Sequence, residues 1–324
     1  MKNIIFLFAI LISFSAAQAY YENPNIYPLG EKEAFMANTG VALSGSTGAV
    51  LFNPAGLVGI KSSKVSMSAN SYLSIKTQYS PLDNVDGTDL NFTSNGVQAI
   101  PSSLVSVQKL ETWTLAFSVL VPEQTQLNDM SVYETPNFNE QVILSIRSQL
   151  VLIGLSAASQ SQNGYDYGFG CFVANYSGTQ NRSVVADPKP ATGLPQTGFA
   201  SDAATVEVQG LICNAGVQKD YDDKWHWGAS VRLPFIKSNG SAKIFSLEQS
   251  PAGGPAVSGI QNFDINYEIP MDVAGGIRYQ ALDNLQLYGD ASYQFPMDYK
   301  AVAAATSNIE SRGTLRLNFG TAYQ

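Results

Sequence analysis

Phe263-Asp264-Ile265-Asn266-Tyr267-Glu268-Ile269-Pro270-Met271-Asp272-Val273-Ala274-Gly275-Gly276-Ile277-Arg278-Tyr279 decides the reading of this chain. Every odd position is apolar or glycine, while the even positions carry Asp264, Asn266, Glu268, Asp272 and Arg278. A period of two marks an extended strand with one greasy and one wet face. The parity continues across Pro270, so the run reads as one long strand with the proline at a bulge or an unpaired edge position.

The same pattern recurs outward from this stretch. Val65, Met67, Ala69, Leu73 and Ile75 alternate with Ser66, Ser68, Asn70 and Ser74. Trp113, Leu115, Phe117, Val119 and Val121 repeat it, as do Trp225, Trp227, Ala229, Val231, Leu233 and Phe235. With the stretches near Val97, Val142, Tyr165, Thr205, Leu285 and Leu315 the chain holds about ten strands. Short turns are expected near Leu110, at Ser161-Gln162-Asn163-Gly164, from Asp220 to Lys224 and from Ala281 to Asn284. Long polar loops are expected over 81–96, 123–140, 177–203, 237–259 and 296–311. Short turns on one side and long loops on the other are the layout of a transmembrane antiparallel β-barrel, with the short turns periplasmic. A soluble sandwich accounts for part of the alternation but not for strands of this length with aromatic ends.

Composition points the same way. Charged residues make up 14% of the chain and aromatics 11%, against about 25% charged in ordinary soluble domains. Lys2, the apolar run Ile4 to Phe14 and Ala17-Gln18-Ala19 read as a signal peptide over 1–19, cleaved before Tyr20. That run is well short of the roughly 20 residues a membrane helix needs, and no longer one follows. A chain that must satisfy its backbone in lipid without helices needs a closed barrel. The formal net charge of −8 argues against nucleic acid as a partner. By the alternation, Cys171 and Cys213 fall on opposite faces of their strands and are expected to be unbonded. With one histidine and two separated cysteines, neither a metal site nor a cofactor is expected.

Residues 20–62 are not strand-like, and 63–324 form the barrel. The first of these segments ends in Ala49-Val50-Leu51-Phe52-Asn53-Pro54-Ala55-Gly56-Leu57, where Pro54 restricts Asn53 and Gly56 permits a tight bend. As chemistry this is a turn. Together with Gly40-Val41-Ala42 and its place ahead of the first strand, it resembles the N-terminal hatch and asparagine-proline-alanine motif of the FadL/TodX family of outer-membrane transport proteins. Asn214-Ala215-Gly216-Val217-Gln218 with Trp227-Gly228-Ala229-Ser230-Val231-Arg232 is similar to a central hairpin of that family. Ile269-Pro270-Met271-Asp272-Val273-Ala274-Gly275-Gly276 and Arg316-Leu317-Asn318-Phe319-Gly320-Thr321-Ala322-Tyr323 resemble later strands.

The resemblance implies a fourteen-strand barrel in the outer membrane of a Gram-negative bacterium, plugged by the hatch. It implies passive uptake of hydrophobic molecules, long-chain fatty acids or aromatic hydrocarbons, with a kinked strand as a lateral route. Asn53, Pro54 and Ala55 then form the gate. Ten strands against fourteen suggests that two C-terminal hairpins are missing; a shorter natural barrel is the rival view. Parity turns Arg147, His226, Arg232, Arg278 and Arg316 inward, where an arginine fork suits a carboxylate head group. The plainer expectation is that they pair with inward acids such as Glu207 and Asp290. His226 lacks the serine and orienting group of a hydrolase, so no enzyme is expected. The alternative function is a structural or adhesive barrel without transport.

Overall fold

In the computed structural model, residues 29–85, 88–134, 138–190, 193, 196–253, 255–299 and 309–323 are described, with backbone alone over 69–102. The signal peptide and its cleavage site lie outside these residues. The strands are β1 (Lys64–Val85), β2 (Thr88–Lys109), β3 (Trp113–Glu134), β4 (Phe138–Gln160), β5 (Tyr165–Pro188), β6 (Gly198–Asp220), β7 (Trp225–Arg232), β8 (Ile236–Gln249), β9 (Val257–Asp264), β10 (Asp272–Leu282), β11 (Leu285–Gln294), β12 (Met297–Tyr299), β13 (Ile309–Ser311) and β14 (Thr314–Tyr323).

All pairings among the described residues are antiparallel, and the sheet runs β1-β2-β3-β4-β5-β6-β7-β10-β11-β14. β7 and β8 follow one another along β6, and β9 and β10 run back along them. β12 and β13 extend the last hairpin. The fourteen segments are therefore ten traverses of the wall, the number the alternation indicates. Among the described residues no helix is long and apolar enough to cross a membrane.

The expected short turns are present: Gly164 N bonds Ser161 O and Tyr221 N bonds Trp225 O. Four of the expected long loops are strand instead. Over 81–96, 123–140, 177–203 and 237–259 most residues continue β1 to β9. Polar strand lacks the greasy alternation, and its order comes largely from the backbone ladder. Strands of 22–24 residues in β1 to β6 are about twice what a tilted membrane strand requires.

Parity is decided by the face that meets the N-terminal segment. Along β5, Asp166, Gly168, Gly170, Phe172, Ala174 and Tyr176 are buried, and the intervening residues are exposed. On β4 the buried set is Leu144, Leu150, Leu152 and Ser156, so the odd-numbered Arg147 is exposed on the outer face and is not a lumen residue. On β6 the buried set is Ala204, Val208, Ile212, Asn214 and Gln218, so Glu207 also faces out. The inner face is as apolar as the outer one, and hydrophobicity alone assigned β4 and β6 to the wrong side.

That inversion also explains the cysteines. Cys171 and Cys213 stand directly opposite one another in the β5–β6 register, and opposed residues share a face. They form a disulfide, with Cα atoms 4.1 Å apart, contrary to the expectation that they stay unbonded.

The opening stretch is likewise divided. Ile265, Tyr267 and Ile269 are buried inside, whereas Ile277 is exposed outside. The face changes beside Pro270, between β9 and β10. One run of odd-numbered apolar residues thus serves two environments.

The core lies within the curved wall. Phe172, Tyr176, Val208, Ile212, Phe235, Ile265, Tyr267 and Ile269 pack with Val50, Leu57 and Ile60 of the N-terminal segment. At the short-turn end, aromatics gather on the outer face, with Trp225 against Tyr279 at 4.5 Å and Tyr165 edge-on to Trp227. Such rings mark the boundary of a membrane-facing band.

Candidate functional site

The N-terminal segment is irregular: a 3-10 turn Glu33–Phe35, one helical turn Ala49–Phe52 and a 3-10 stretch Pro54–Gly59. Its own turns leave several backbone groups unpaired, and side chains of the wall complete them. Asn214 Nδ2 donates to Val50 O and Leu51 O, both at 3.0 Å. Gln218 Nε2 donates to Val41 O at 2.9 Å and Leu43 O at 3.2 Å. Asp290 Oδ2 accepts from Gly40 N at 2.7 Å and Val41 N at 3.0 Å.

Asn53 is the centre of this docking. Its Nδ2 donates to Val41 O at 2.7 Å and to the wall carbonyls of Val217 and Ala229 at 3.2 and 3.3 Å. Its Oδ1 accepts from Ala55 N at 3.2 Å and caps the following turn. Pro54 occupies the first turn, where no amide donor is needed.

The wall is pared down to admit this approach. A Cβ on Gly216 would lie 1.9 Å from Asn53 Oδ1, and one on Gly168 would lie 2.4 Å from the Pro54 carbonyl carbon. Gly228 and Gly276 meet Val41 in the same way. Glycine is used here for close backbone approach.

Four of the five expected inward residues are brought to this end of the lumen. His226 is buried, with Nδ1 2.7 Å from Asp220 Oδ1 and Nε2 3.3 Å from Gln218 Oε1. The ring nitrogen a hydrolase would turn to its serine is thus occupied by the amide that holds the segment. Arg278 reaches Asp220 at 3.2 Å. Arg232 and Arg316 converge on Asp272, the former at 3.8 Å, and Arg316 Nε also donates to Ser292 Oγ. Pairing with acids is therefore observed, but through Asp220 and Asp272 rather than Glu207 and Asp290.

Arg232, Asp272, Asp290 and Arg316 line a cavity of about 50 Å³ between wall and segment, with Val41 and Phe52 opposite. A volume of that order holds a water or two; it does not hold a fatty acid. Among the described residues no group of His, Cys, Asp and Glu could hold a metal ion.

A further buried acid, Glu33, went unnoticed in the sequence. Its Oε2 accepts from Ser46 Oγ at 2.7 Å, while Oε1 has no partner among the described residues. Burial pushes this carboxyl above the usual glutamate range, and the Ser46 bond returns part of the shift. Asn214 and Gln218 were legible only as a motif; inward polar residues flanking Gly216 were the available signal.

No family model matches the sequence, and no curated protein matches it. Solved structures do. The chain is similar to the toluene transporter TodX of Pseudomonas putida, at 15% identity over 93% of this chain and 81% of that one, with a TM-score of 0.60. It is similar to the toluene transporter TbuX of Ralstonia pickettii at 12% identity over 92% and 83%, TM-score 0.61. A FadL homologue of Pseudomonas aeruginosa matches at 13% identity over 90% and 75%, TM-score 0.55. The chain has the β-barrel fold of these FadL/TodX-type transporters.

Proposed function

We propose that the chain is an outer-membrane channel for passive uptake of hydrophobic molecules, gated by residues 20–62 as a hatch. The observation that carries this reading is the apolar lumen: Phe172, Val208, Ile212, Ile265 and Tyr267 face inward and are buried. A porin lumen is polar and water-filled, and offers an apolar solute no binding energy. The fold shared with the toluene transporters and the FadL homologue supports the same reading, and so does the signal-peptide pattern of Lys2, the apolar run and Ala17-Gln18-Ala19.

Asn53, Pro54 and Ala55 are the gate in this proposal. Asn53 holds the wall by donating to the Val217 and Ala229 carbonyls, and the rest of the segment donates to Asp290 and accepts from Asn214 and Gln218, each bond worth about 1 kcal/mol net and so reversible. His226 steadies Gln218, and Arg232, Arg278 and Arg316 with their aspartates line the seam that opens when the hatch shifts. Within β3 the register with β4 shifts between Leu120 and Glu123, around Pro122, and among the described residues its ladder with β2 runs from Lys109 to Ser103. In this proposal the lateral exit lies beyond that point.

The test is uptake of a labelled long-chain fatty acid and of labelled toluene by cells lacking their own transporter, comparing the native chain with Asn53→Ala/Pro54→Ala. Uptake that changes with the motif supports hatch gating. No uptake of either from an assembled barrel refutes the reading and favours a structural or adhesive barrel.

A further inference from the structure

The lumen at mid-height is filled by the protein itself. Ile265, Tyr267 and Ile269 are each no more than 2% exposed, and they belong to the stretch 265–271 that joins β9 to β10. The β7–β10 ladder ends at Arg232 and Asp272, and the β8–β9 ladder starts at Ser241 and Asp264. Between them 233–240 faces 265–271, with Phe235 N bonded to Ile269 O at 2.9 Å, and Met271 O accepts from Phe295 N at 3.0 Å. The upper end is tied by Lys237, whose Nζ reaches Asp264 Oδ1, Ile265 O and Asn266 Oδ1.

Tyr267 lies with its ring stacked on Tyr176, centroids 4.3 Å apart and planes at 12°, and edge-on to Phe235 at 5.9 Å. Both are arrangements that aromatic pairs favour. A side chain in this position takes the place a planar apolar solute would take.

We propose that Tyr176 and Phe235 form a seat for a planar hydrophobic ring, which Tyr267 occupies in the resting protein. The Ile265–Met271 stretch withdraws to admit the solute. This rests on the reading of the chain as a hydrophobic channel. Displacement breaks the Phe235 N–Ile269 O and Phe295 N–Met271 O bonds and the ties of Lys237 to Ile265 and Asn266, whereas moving any other part of the adjacent wall breaks a continuous ladder. The incoming ring restores the stack that Tyr267 gives up. An alkyl chain restores no stack, and the seat therefore discriminates between rings and chains.

Two variants of the full-length protein, assembled in cells lacking their own transporters, test this with labelled toluene and oleate. Phe235→Cys/Ile269→Cys is made in a Cys171→Ala/Cys213→Ala background. Residues bonded across strands have Cα atoms about 5.5 Å apart, within reach of a disulfide. The oxidised form is expected to take up toluene at least ten-fold more slowly than the same protein after reduction. Equal rates in the two states overturn the withdrawal, and the reduced form serves as the folded control. Tyr176→Leu keeps apolar bulk and removes the ring face. It is expected to slow toluene several-fold and to leave oleate unchanged. Equal slowing of both solutes overturns the ring seat. A native chain that takes up neither solute removes the channel reading and this proposal with it.

Discussion

Asn53 pairs with four backbone groups, Val41 O and Ala55 N in the segment and Val217 O and Ala229 O in the wall. Asn53→Asp exchanges the donor Nδ2 for an acceptor facing Val41, Val217 and Ala229 carbonyls. Leaving one buried polar group unpaired costs about 1–3 kcal/mol. Amide exchange over residues 40–57 is expected to accelerate at least ten-fold in this variant, and unchanged exchange counts against Asn53 as the anchor. Glu33 has the opposite logic. Its folded pKa is raised by burial, so the docked segment is most stable with the acid protonated, below the unfolded value of about 4.3. That stability is lost as pH rises through the raised folded value. Protection of the segment is therefore expected to fall as pH rises above about 4.3 toward the raised folded value, and Glu33→Gln is expected to flatten the dependence while keeping the Ser46 bond.

At the scale of elements, β5 and β6 carry the docking and also the disulfide. Gly216→Ala sets a methyl group 1.9 Å from Asn53 Oδ1, so it is expected to expose the segment to protease as Asn53→Asp does. Tight protection in the alanine variant contradicts the close approach. The Cys171–Cys213 bridge encloses 42 residues of sequence separation, and the chain-entropy relation gives about 4 kcal/mol for a loop of that size. An intact mass two hydrogens below the reduced chain is expected without reductant, and the Cys171→Ala/Cys213→Ala barrel is expected to unfold at lower denaturant. The alternation located both strands correctly. It failed to say which side of β6 faced in, because Leu211 and Ile212 are equally greasy and lie on opposite faces.

For the whole molecule, the proposed membrane setting puts lipid on one side and the apolar lumen on the other, two hydrophobic environments separated by a single sheet. Ile153 is an outward residue of β4 opposite Val119 and Val173. An arginine there is expected to cost about 2–4 kcal/mol in lipid, as for a charge near the bilayer midplane. Folding into vesicles, followed by the heat-dependent mobility of the barrel on gels, measures it. A neutral Ile153→Arg means that this face does not meet lipid.

The amino-acid sequence by itself determined the strands, their number of traverses, the short turns and the segment ahead of β1, because alternation and turn chemistry are local. It also brought Asn53, Pro54 and Ala55 forward through a motif. Only the tertiary structure decided which face of β4 and β6 is inner, that Cys171 meets Cys213, and that the stretch beside Pro270 folds into the lumen. Each of these depends on the cross-strand register and on what covers the inner wall. Neither is encoded in the hydrophobicity of one strand when both of its faces are apolar.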